Sequence, residues 1–277
     1  MKVAVTIGQL FRFKEGIRSI VDSFGDFWIF TGRALGWSAR DLFRRKFWRL
    51  LLPELYEVGF RSLPVILITG AFVGMVIAVQ SLEQFRAVGL EDRLGSIVNL
   101  SVVRELGPVL AGMMLAGRIG GALTAELGTM KVTEQIDALR AMGVDPIRHL
   151  VAPRVFACLL LTPLLTIYAD FMGAVGGFFV CVVQGGIDPG PYFDYTRDAV
   201  DTFDLFIGIL KSVFFGGALG AISCFKGFNC LPGAEGVGRA CTSAFVSSFI
   251  SILVLDYILA VIMQSISIYI WGFRSLL

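Results

Sequence analysis

The alternation of apolar and charged positions divides the chain into five long apolar runs separated by short polar segments. A helix that crosses a bilayer needs about 20 mostly apolar residues, and each run reaches that length. The runs are Leu63–Leu82, Ile97–Glu126, Val155–Ile187, Leu205–Phe225 and Ala240–Phe273. This pattern predicts an all-α integral membrane protein with five transmembrane helices, which we number as spans one to five.

Residues 1–60 have a different pattern, in which charged side chains alternate with Phe, Ile and Val at helical spacing. Aromatic and basic residues on one helix are typical of a segment that lies in the membrane interface. We therefore expect an N-terminal amphipathic interfacial helix region over residues 1–60 and a transmembrane region over residues 61–277, within a single domain spanning residues 1–277. A soluble helix packed on a partner would show the same alternation.

The distribution of Lys and Arg predicts the orientation of the chain. Residues 1–62 and the segments after spans two and four are rich in basic residues, whereas the segment after span three carries five Asp and one Arg. Short segments with an excess of Lys and Arg remain on the cytoplasmic side of a membrane. We therefore expect a cytoplasmic N-terminus and a C-terminus on the outer, periplasmic side.

Composition excludes several classes of function. Charged residues make up 17% of the chain, against roughly 25% in soluble domains. The net charge of +2 is too small to indicate a nucleic-acid binder. The five cysteines show no disulfide or metal-site spacing, so neither a metal nor a cofactor is expected. His149 is the only histidine, and no nucleophile–base set is evident, so the chain is not expected to be an enzyme.

Between spans two and three the chain reads ELGTMKVTEQIDALRAMGVDP, residues 126–146, which is typical of a short capped helix. Thr133 is the expected N-cap and Gly143 the expected C′ residue. One face is apolar and the other polar. The apolar face consists of Ile136, Leu139 and Met142, and the polar face of Glu134, Gln135 and Asp137. A helix of about nine residues is unstable alone, so it needs a surface, which is either a partner, the membrane or the protein's own spans.

Ionisable residues inside the spans are candidates for function, because charges in a bilayer are rare and costly. At about 1.5 Å per residue, Arg104, Glu105 and Lys211 lie at one depth on the outer side, and Asp256 lies within a turn or two of them. Two interpretations fit this placement. The four charges form either a structural network that locks the helices or a polar patch that meets a lipid head group.

Span one carries no charge and is expected to supply the apolar part of such a site, through Leu67, Val76 and Ile77. Contact with bulk lipid would satisfy these side chains equally well. Arg118, deep in span two, is expected to reach towards the cytoplasm or to pair with Glu126.

Pairs of glycines four positions apart recur in the spans and allow helix backbones to approach closely. The pairs are Gly70 with Gly74, Gly117 with Gly121, Gly173 with Gly177, and Gly216 with Gly220. Packing within one chain is expected to explain most of them, and a homodimer face would explain others.

The segment RELGPVLAGMMLAGRIGGALTAELGTMKVTEQIDALRAMGVDPIRHLVAPRV, Arg104–Val155, resembles the signature of the MlaE (YrbE) family. This family consists of the permease subunits of MCE-associated ABC transporters. Two later segments are also similar to that family, LPGAEGVGRACTSAFV at Leu231–Val246 and LDYILA from Leu255.

The resemblance implies that Val132–Met142 is a coupling helix that inserts into a groove of a partner ABC ATPase. It also implies a second copy of the chain, an MCE-domain protein on the outer side, phospholipid as the transported substrate, and a location in a bacterial inner membrane. The four charged positions would belong to the lipid pocket. The chain contains no G-x-x-x-x-G-K-[ST] phosphate loop, so ATP hydrolysis would belong to the partner.

Two other functions fit the same residues. An ion-coupled secondary transporter would use the buried charges as a relay, although the five spans show no inverted repeat. A non-transporting membrane scaffold would use the short helix only to recruit a partner. The direction of transport and the exact lipid stay open.

Overall fold

The computed structural model describes the backbone of residues 2–271 and the side chains of residues 21–269. This part of the chain is helical and contains no β-strand. Its helices are α1 Lys2–Asp41, α2 Arg45–Val58, α3 Leu63–Ala87, α4 over residues 94–132, α5 Gln135–Ala141, α6 Ile147–Gln184, α7 Pro189–Ala199, α8 Thr202–Phe228 and α9 Ala234–Trp271.

The prediction of five transmembrane helices is confirmed, because α3, α4, α6, α8 and α9 lie in the five described helices long and apolar enough to cross a membrane. The helices extend beyond the apolar runs, since the backbone stays helical as it enters the polar segments. The predicted end of span five at Phe273 lies outside the described residues.

The N-terminal region consists of two helices, where the sequence pattern predicted one continuous helix region. The chain turns at residues 42–44, where the Arg44 N–H donates to the Asp41 carbonyl at 2.8 Å. On α2, Phe47 and Leu51 are buried, and the Phe47 ring packs edge-on against Phe156 of α6. The helix α2 is therefore attached to the bundle along one side.

The end of α1 docks on the start of α6 through charged and aromatic side chains. The Arg148 guanidinium donates to both carboxylate oxygens of Asp41, at 2.5 and 2.9 Å. It also lies over the Trp37 ring, 4.6 Å from the centroid, while Trp37 Nε1 donates to Asp145 at 3.1 Å. The hydrogen bonds from Arg148 hold the pKa of the Asp41 carboxyl below its usual value.

An elbow between α2 and α3 is fixed by Arg118 of α4. Its guanidinium donates to the Glu57 carbonyl at 3.0 Å and to Ser62 Oγ at 2.6 Å, and it lies 3.4 Å from the Glu57 carboxylate. The predicted pairing of Arg118 with Glu126 is wrong, because Glu126 is 2.7 Å from Arg154 of α6. Arg118 therefore ties the interfacial helix to the second span.

Glycines bring three of the spans into direct backbone contact. A Cβ on Gly74 would overlap the Gly173 carbonyl, and a Cβ on Gly70 would press on Ala169, so α3 lies against α6 with no side chain between them. Gly216 of α8 packs in the same way on the Cys158 carbonyl of α6. Packing within the chain therefore explains most of the predicted glycine pairs. Gly121 is the exception, because a Cβ added to it would have no other atom within 4 Å.

The five spans alternate in direction, which gives the bundle a basic end and an acidic end. We use "basic end" for the end that carries α1, α2 and α5, with Arg44, Arg45, Lys46, Lys131, Arg140, Arg148, Lys226 and Arg239. The "acidic end" carries α7, with Asp188, Asp194, Asp198, Asp201 and Asp204. At the acidic end, Asn99 of α4 donates to the Tyr192 hydroxyl at 3.3 Å and to Thr196 Oγ1 at 3.1 Å, which fastens α7 to the bundle.

Replacing Gly74 with Ala should destabilise the protein by about 1–3 kcal/mol, because the added methyl group must push α3 away from α6. The matched control is Gly121→Ala, which should leave stability unchanged or raise it slightly, since Ala is the better helix former. Thermal unfolding of both variants in detergent checks this. Equal melting temperatures for the two variants would contradict the backbone contact.

The docking of α1 should weaken in acid. The Asp41 pKa is lower in the folded protein than in the unfolded chain, so this stabilisation is present above about pH 4 and is lost as pH falls through the folded-state pKa. Below that pH, the rate of amide hydrogen exchange at the end of α1 should rise, after correction for the intrinsic exchange rates and relative to the rate in α8. In Asp41→Asn the exchange should already be fast at neutral pH, and unchanged exchange in that variant would contradict the assignment.

Candidate functional site

A buried lysine from α8 joins three transmembrane helices. Lys211 is 1% exposed, and its Nζ lies 2.5 Å from the Glu105 carboxylate of α4 and 3.0 Å from the Asp256 carboxylate of α9. The structure thus brings together three of the four charged residues that the depth argument grouped. We call Lys211, Glu105, Asp256, Arg104 and Asp204 the Lys211 cluster.

The backbone of α4 is distorted where it meets Lys211. Residues Val102–Leu106 form a π turn, a rare element that is frequently found at functional sites. Pro108 has no N–H, so it cannot donate to the Arg104 carbonyl as a helical residue four positions later normally would. Lys211 Nζ lies 3.4 Å from that carbonyl and donates to it. The proline therefore opens an acceptor that the buried cation uses.

Arg104 has a partner that sequence reasoning missed. Its Nε lies 3.3 Å from Asp204 near the start of α8, where Asp204 also accepts a hydrogen bond from the Asp201 N–H at 3.1 Å. The apolar run of span four begins at Leu205, so the sequence pattern puts Asp204 in the polar segment outside it. The spacing of Asp201 and Asp204, typical of a reciprocal helix cap, was the available signal that α8 begins earlier.

The exposures within the Lys211 cluster separate a structural part from an accessible part. Lys211 is enclosed and already held by two carboxylates, whereas the side chains of Arg104 and Glu105 are 32% and 47% exposed. With three carboxylates and two cations, the cluster has an overall charge of −1 when all groups are ionised. An accessible cation beside an accessible carboxylate can form ion pairs with a ligand group that carries both a negative and a positive charge.

The predicted apolar residues of span one do not join this cluster in any recorded contact of the described residues. Ile77 packs with Ala78, Val98 and Tyr192 near the acidic end. Leu67 is half-buried, and Val76 is 51% exposed. A role of these three residues in substrate binding therefore stays a prediction.

Asp170 of α6 is buried beside the cluster's π turn. A Cβ on Gly107 would overlap its Oδ1 atom, and the described residues provide no hydrogen-bond donor for that oxygen. Sequence reasoning assigned no role to this carboxyl, and the geometry explains only why residue 107 is a glycine.

The short helix α5 is packed onto the ends of its neighbours. Ile136 is fully buried with Leu127 of α4 and with Val151 and Val155 of α6. Leu139 is half-buried, whereas Met142 is 69% exposed. The apolar face predicted from the sequence is therefore divided, with Ile136 facing the bundle and Met142 left open.

The caps of α5 differ in part from the prediction. The C-terminal prediction is confirmed, because Gly143 has φ +75°, and hydrogen bonds from Gly143 to Arg140 and from Val144 to Leu139 form a Schellman motif. The prediction of Thr133 as N-cap is wrong. Its hydroxyl donates to the Thr129 carbonyl at 2.8 Å, and Glu134 occupies the cap with a left-handed φ of 60°.

The polar face of α5 is ordered by ion pairs as well as by the caps. Asp137 lies 3.1 Å from Lys131 and 3.0 Å from Arg140. The hydrogen bond from Lys131, with the charge of Arg140, holds the pKa of the Asp137 carboxyl below its usual value. Glu134 and Gln135 are exposed, so they and Met142 are available to a partner.

Replacing Lys211 with Met should destabilise the protein by about 3–5 kcal/mol, because Asp256 and Glu105 would lose their shared cation. Adding Asp256→Asn to Lys211→Met should restore part of the loss. Glu105→Gln is the matched control and should cost less, since Lys211 keeps Asp256. Denaturation of these three variants, of Asp256→Asn alone and of the wild type in detergent measures these differences, and additive losses in the double variant would contradict the pairing.

Comparison with known proteins agrees with the resemblance seen in the sequence. Residues 51–262 match the family described as Permease MlaE. The chain is 40% identical over 220 residues to the intermembrane phospholipid transport system permease protein MlaE of Haemophilus influenzae, covering 79% of this chain and 84% of the relative.

Two further relatives come from different lineages. A probable ABC transporter permease protein of Rickettsia typhi is 42% identical over 210 residues, covering 76% of this chain and 81% of the relative. The protein TRIGALACTOSYLDIACYLGLYCEROL 1, chloroplastic, of Arabidopsis thaliana is 38% identical over 213 residues, covering 77% of this chain and 61% of the relative. This multi-pass membrane protein therefore belongs to the MlaE family of ABC transporter permeases.

Proposed function

We propose that this chain is the membrane subunit of an ABC transporter that moves phospholipid, and that a separate ATPase drives it. The observation that carries the proposal is the accessible Arg104–Glu105 pair, placed within a span and backed by buried Lys211. The printed name of the Haemophilus relative, a phospholipid transport permease, supports the choice of substrate. The chain itself performs binding and conformational change and has no covalent chemistry.

The chemistry of the Lys211 cluster favours a zwitterionic head group. Lys211 is saturated by its two carboxylates, so Arg104 is the cation available to a phosphate. Glu105, half-exposed next to it, is the carboxylate available to an ammonium group. Because the cluster as a whole is not positive, a head group with both charges fits it better than a purely anionic one. The acyl chains would lie on apolar surfaces nearby, for which Leu67, Val76 and Ile77 remain candidates.

The helix α5 is the proposed coupling element. Ile136 fixes α5 to the ends of α4 and α6, so a force on α5 reaches both spans, and α4 carries Arg104 and Glu105. Exposed Met142, Glu134 and Gln135 form the surface offered to the ATPase. The basic end would then face the cytoplasm, as the excess of Lys and Arg predicts, in a bacterial inner membrane. The MCE-domain partner would lie at the acidic end.

A second copy of the chain is proposed to lie along α9. This helix exposes Val254, Tyr257 and Val261, each by about half of its surface or more. Tyr257 follows Asp256 of the Lys211 cluster, so a second copy on this side would help to enclose the cluster. Bulk lipid is the other occupant that this apolar face accepts.

Replacing Met142 with Asp should abolish co-purification of the ATPase while leaving bound phospholipid unchanged, because a charge would enter the proposed docking surface. The matched control is Val88→Asp, which places the same charge at a residue of similar exposure at the acidic end. Arg104→Gln should give the opposite result, retaining the ATPase and losing phospholipid. The native complex is purified in mild detergent, and its subunits and lipids are identified.

Other results would favour the alternative functions. If the wild-type chain brings down no ATPase and transports in response to a pH gradient alone, it is an ion-coupled transporter. If Arg104→Gln transports lipid at the wild-type rate while Met142→Asp loses the ATPase, the chain acts as a scaffold.

A further inference from the structure

A cavity of about 440 Å³ lies at the basic end, away from the Lys211 cluster. The last turn of α1, the turn between α1 and α2, and the segment between α5 and α6 line it. Its polar wall includes Arg44, Lys46, Arg148 and His149, and its apolar wall includes Trp37 and Phe47. The cavity joins the interfacial helices to the element that we propose couples to the ATPase.

The two acidic residues that line the cavity are already engaged. Asp41 accepts hydrogen bonds from two guanidinium nitrogens of Arg148, Nε and Nη2, and lies 3.3 Å from Arg44. Asp145 accepts hydrogen bonds from the Trp37 indole and from the Ile147 N–H. The negative charges of Asp41 and Asp145 are therefore not available to neutralise the remaining cations of the cavity.

Lys46 is a cation of the cavity that has no ion-pair partner among the described residues. It is exposed at the cavity, and no carboxylate of the described residues lies within ion-pair distance of its Nζ. Among the described residues, the side chain of Arg44 forms an ion pair with Asp41, which Arg148 already holds, and it is 66% exposed. The cavity therefore offers positive charge to a ligand that enters it.

The start of α2 adds to this positive charge. A helix N-terminus carries a partial positive charge, and acidic residues normally occupy its first turn. Here the first turn has no acidic residue, and Arg44, Arg45 and Lys46 stand at it without a side-chain cap. An anion bound here would relieve the repulsion among these groups.

Apolar surface next to the cavity points to a lipid as the anion. Phe43, in the turn beside Arg44, is 94% exposed, and Trp48 of α2 is 42% exposed. Arg148 and His149 at the start of α6 line the cavity, and the end of a span is the level at which aromatic side chains and basic residues meet lipid head groups. A free phosphate would use the cations but not the aromatic surface.

We propose that this cavity binds the phosphate head group of an anionic phospholipid from the leaflet at the basic end. Arg44 and Lys46 contact the phosphate, while Phe43 lies among the acyl chains of the same leaflet. Such a lipid holds the turn between α1 and α2 against α6. This is a second lipid site, separate from the proposed transport site, and it does not depend on transport.

The test titrates phosphatidylglycerol into the purified full chain in detergent and follows the melting temperature, from which an apparent affinity is obtained. Phosphatidylglycerol should raise the melting temperature more than phosphatidylcholine does. Arg44→Gln/Lys46→Gln should weaken the apparent affinity for phosphatidylglycerol by about tenfold or more, which corresponds to about 1.4 kcal/mol. The single change Lys46→Gln, at an exposed and unpaired residue, should shift it in the same direction.

The matched control is Lys226→Gln/Arg239→Gln, which removes two basic residues of the same end outside the cavity and should keep the wild-type affinity. Equal stabilisation by the two lipids, or equal affinity in the two double variants, would overturn the proposal. Inorganic phosphate producing the same stabilisation as phosphatidylglycerol would show an anion site and exclude a lipid site. Loss of ATPase co-purification with unchanged lipid affinity would assign the surface to the partner instead.

Discussion

A charge inside a bilayer must be neutralised by the protein that carries it, and Lys211 is where this chain meets that requirement. Its ammonium group is enclosed, and its two carboxylate partners come from α4 and α9. Three spans are thereby held at one point by charge, while glycines hold α3 and α6 together by backbone contact. The packing of these spans thus combines a polar joint at Lys211 with close backbone contacts at glycines, and movement of α4, α8 or α9 disturbs the same ion pairs.

The basic end depends on a different set of charges, which fix the interfacial helices. Arg154 of α6 is buried between Glu54 of α2 and Glu126 of α4, and Arg118 holds the elbow that follows α2. Both arginines lie on spans and both reach α2. Helix α2 is therefore part of the bundle, and it is joined to α4 and α6, the same two spans that hold α5.

The five spans and their order could be predicted because long apolar runs have only one stable form in a bilayer. The C-terminal end of α5 could also be predicted, since Gly143 and Pro146 terminate a helix through their own local conformational preferences. The division of residues 1–60 into α1 and α2 could not, because it depends on the docking of Asp41 and Trp37 on α6. The N-cap of α5 was mistaken for a similar reason, since the Thr133 hydroxyl turned back to its own helix.

The sequence predicted how deep the charged residues of the candidate site lie in the spans, but it did not predict which way their side chains face around each helix. Counting residues along each span placed Lys211 and Glu105 at one depth and Asp256 within a turn or two of them, and the structure joins the three. Partners across helices also depend on which way each side chain faces, and the sequence offered no such information for Arg104 and Arg118. The role of Asp204 was not predicted because α8 begins at Thr202, three residues before its apolar run, and the apolar pattern marks only the later start. The family assignment identifies the chain as an ABC transporter permease, but it does not say which charged side chains pair with each other.

The two π turns of α4, Val102–Leu106 and Ala116–Gly120, have a consequence for the relation between sequence and geometry. Each π turn accommodates one residue more than an α-helical turn, and one residue corresponds to about 100° of rotation. A chain one residue shorter at the first π turn could wind as regular α-helix over almost the same length. Because the wider turn absorbs the extra residue, the two halves of the helix would keep both their depths and the neighbours that they face, whereas the same deletion in a regular α-helix would rotate one half by about 100°. An alignment gap at this point would therefore leave unchanged which helices touch.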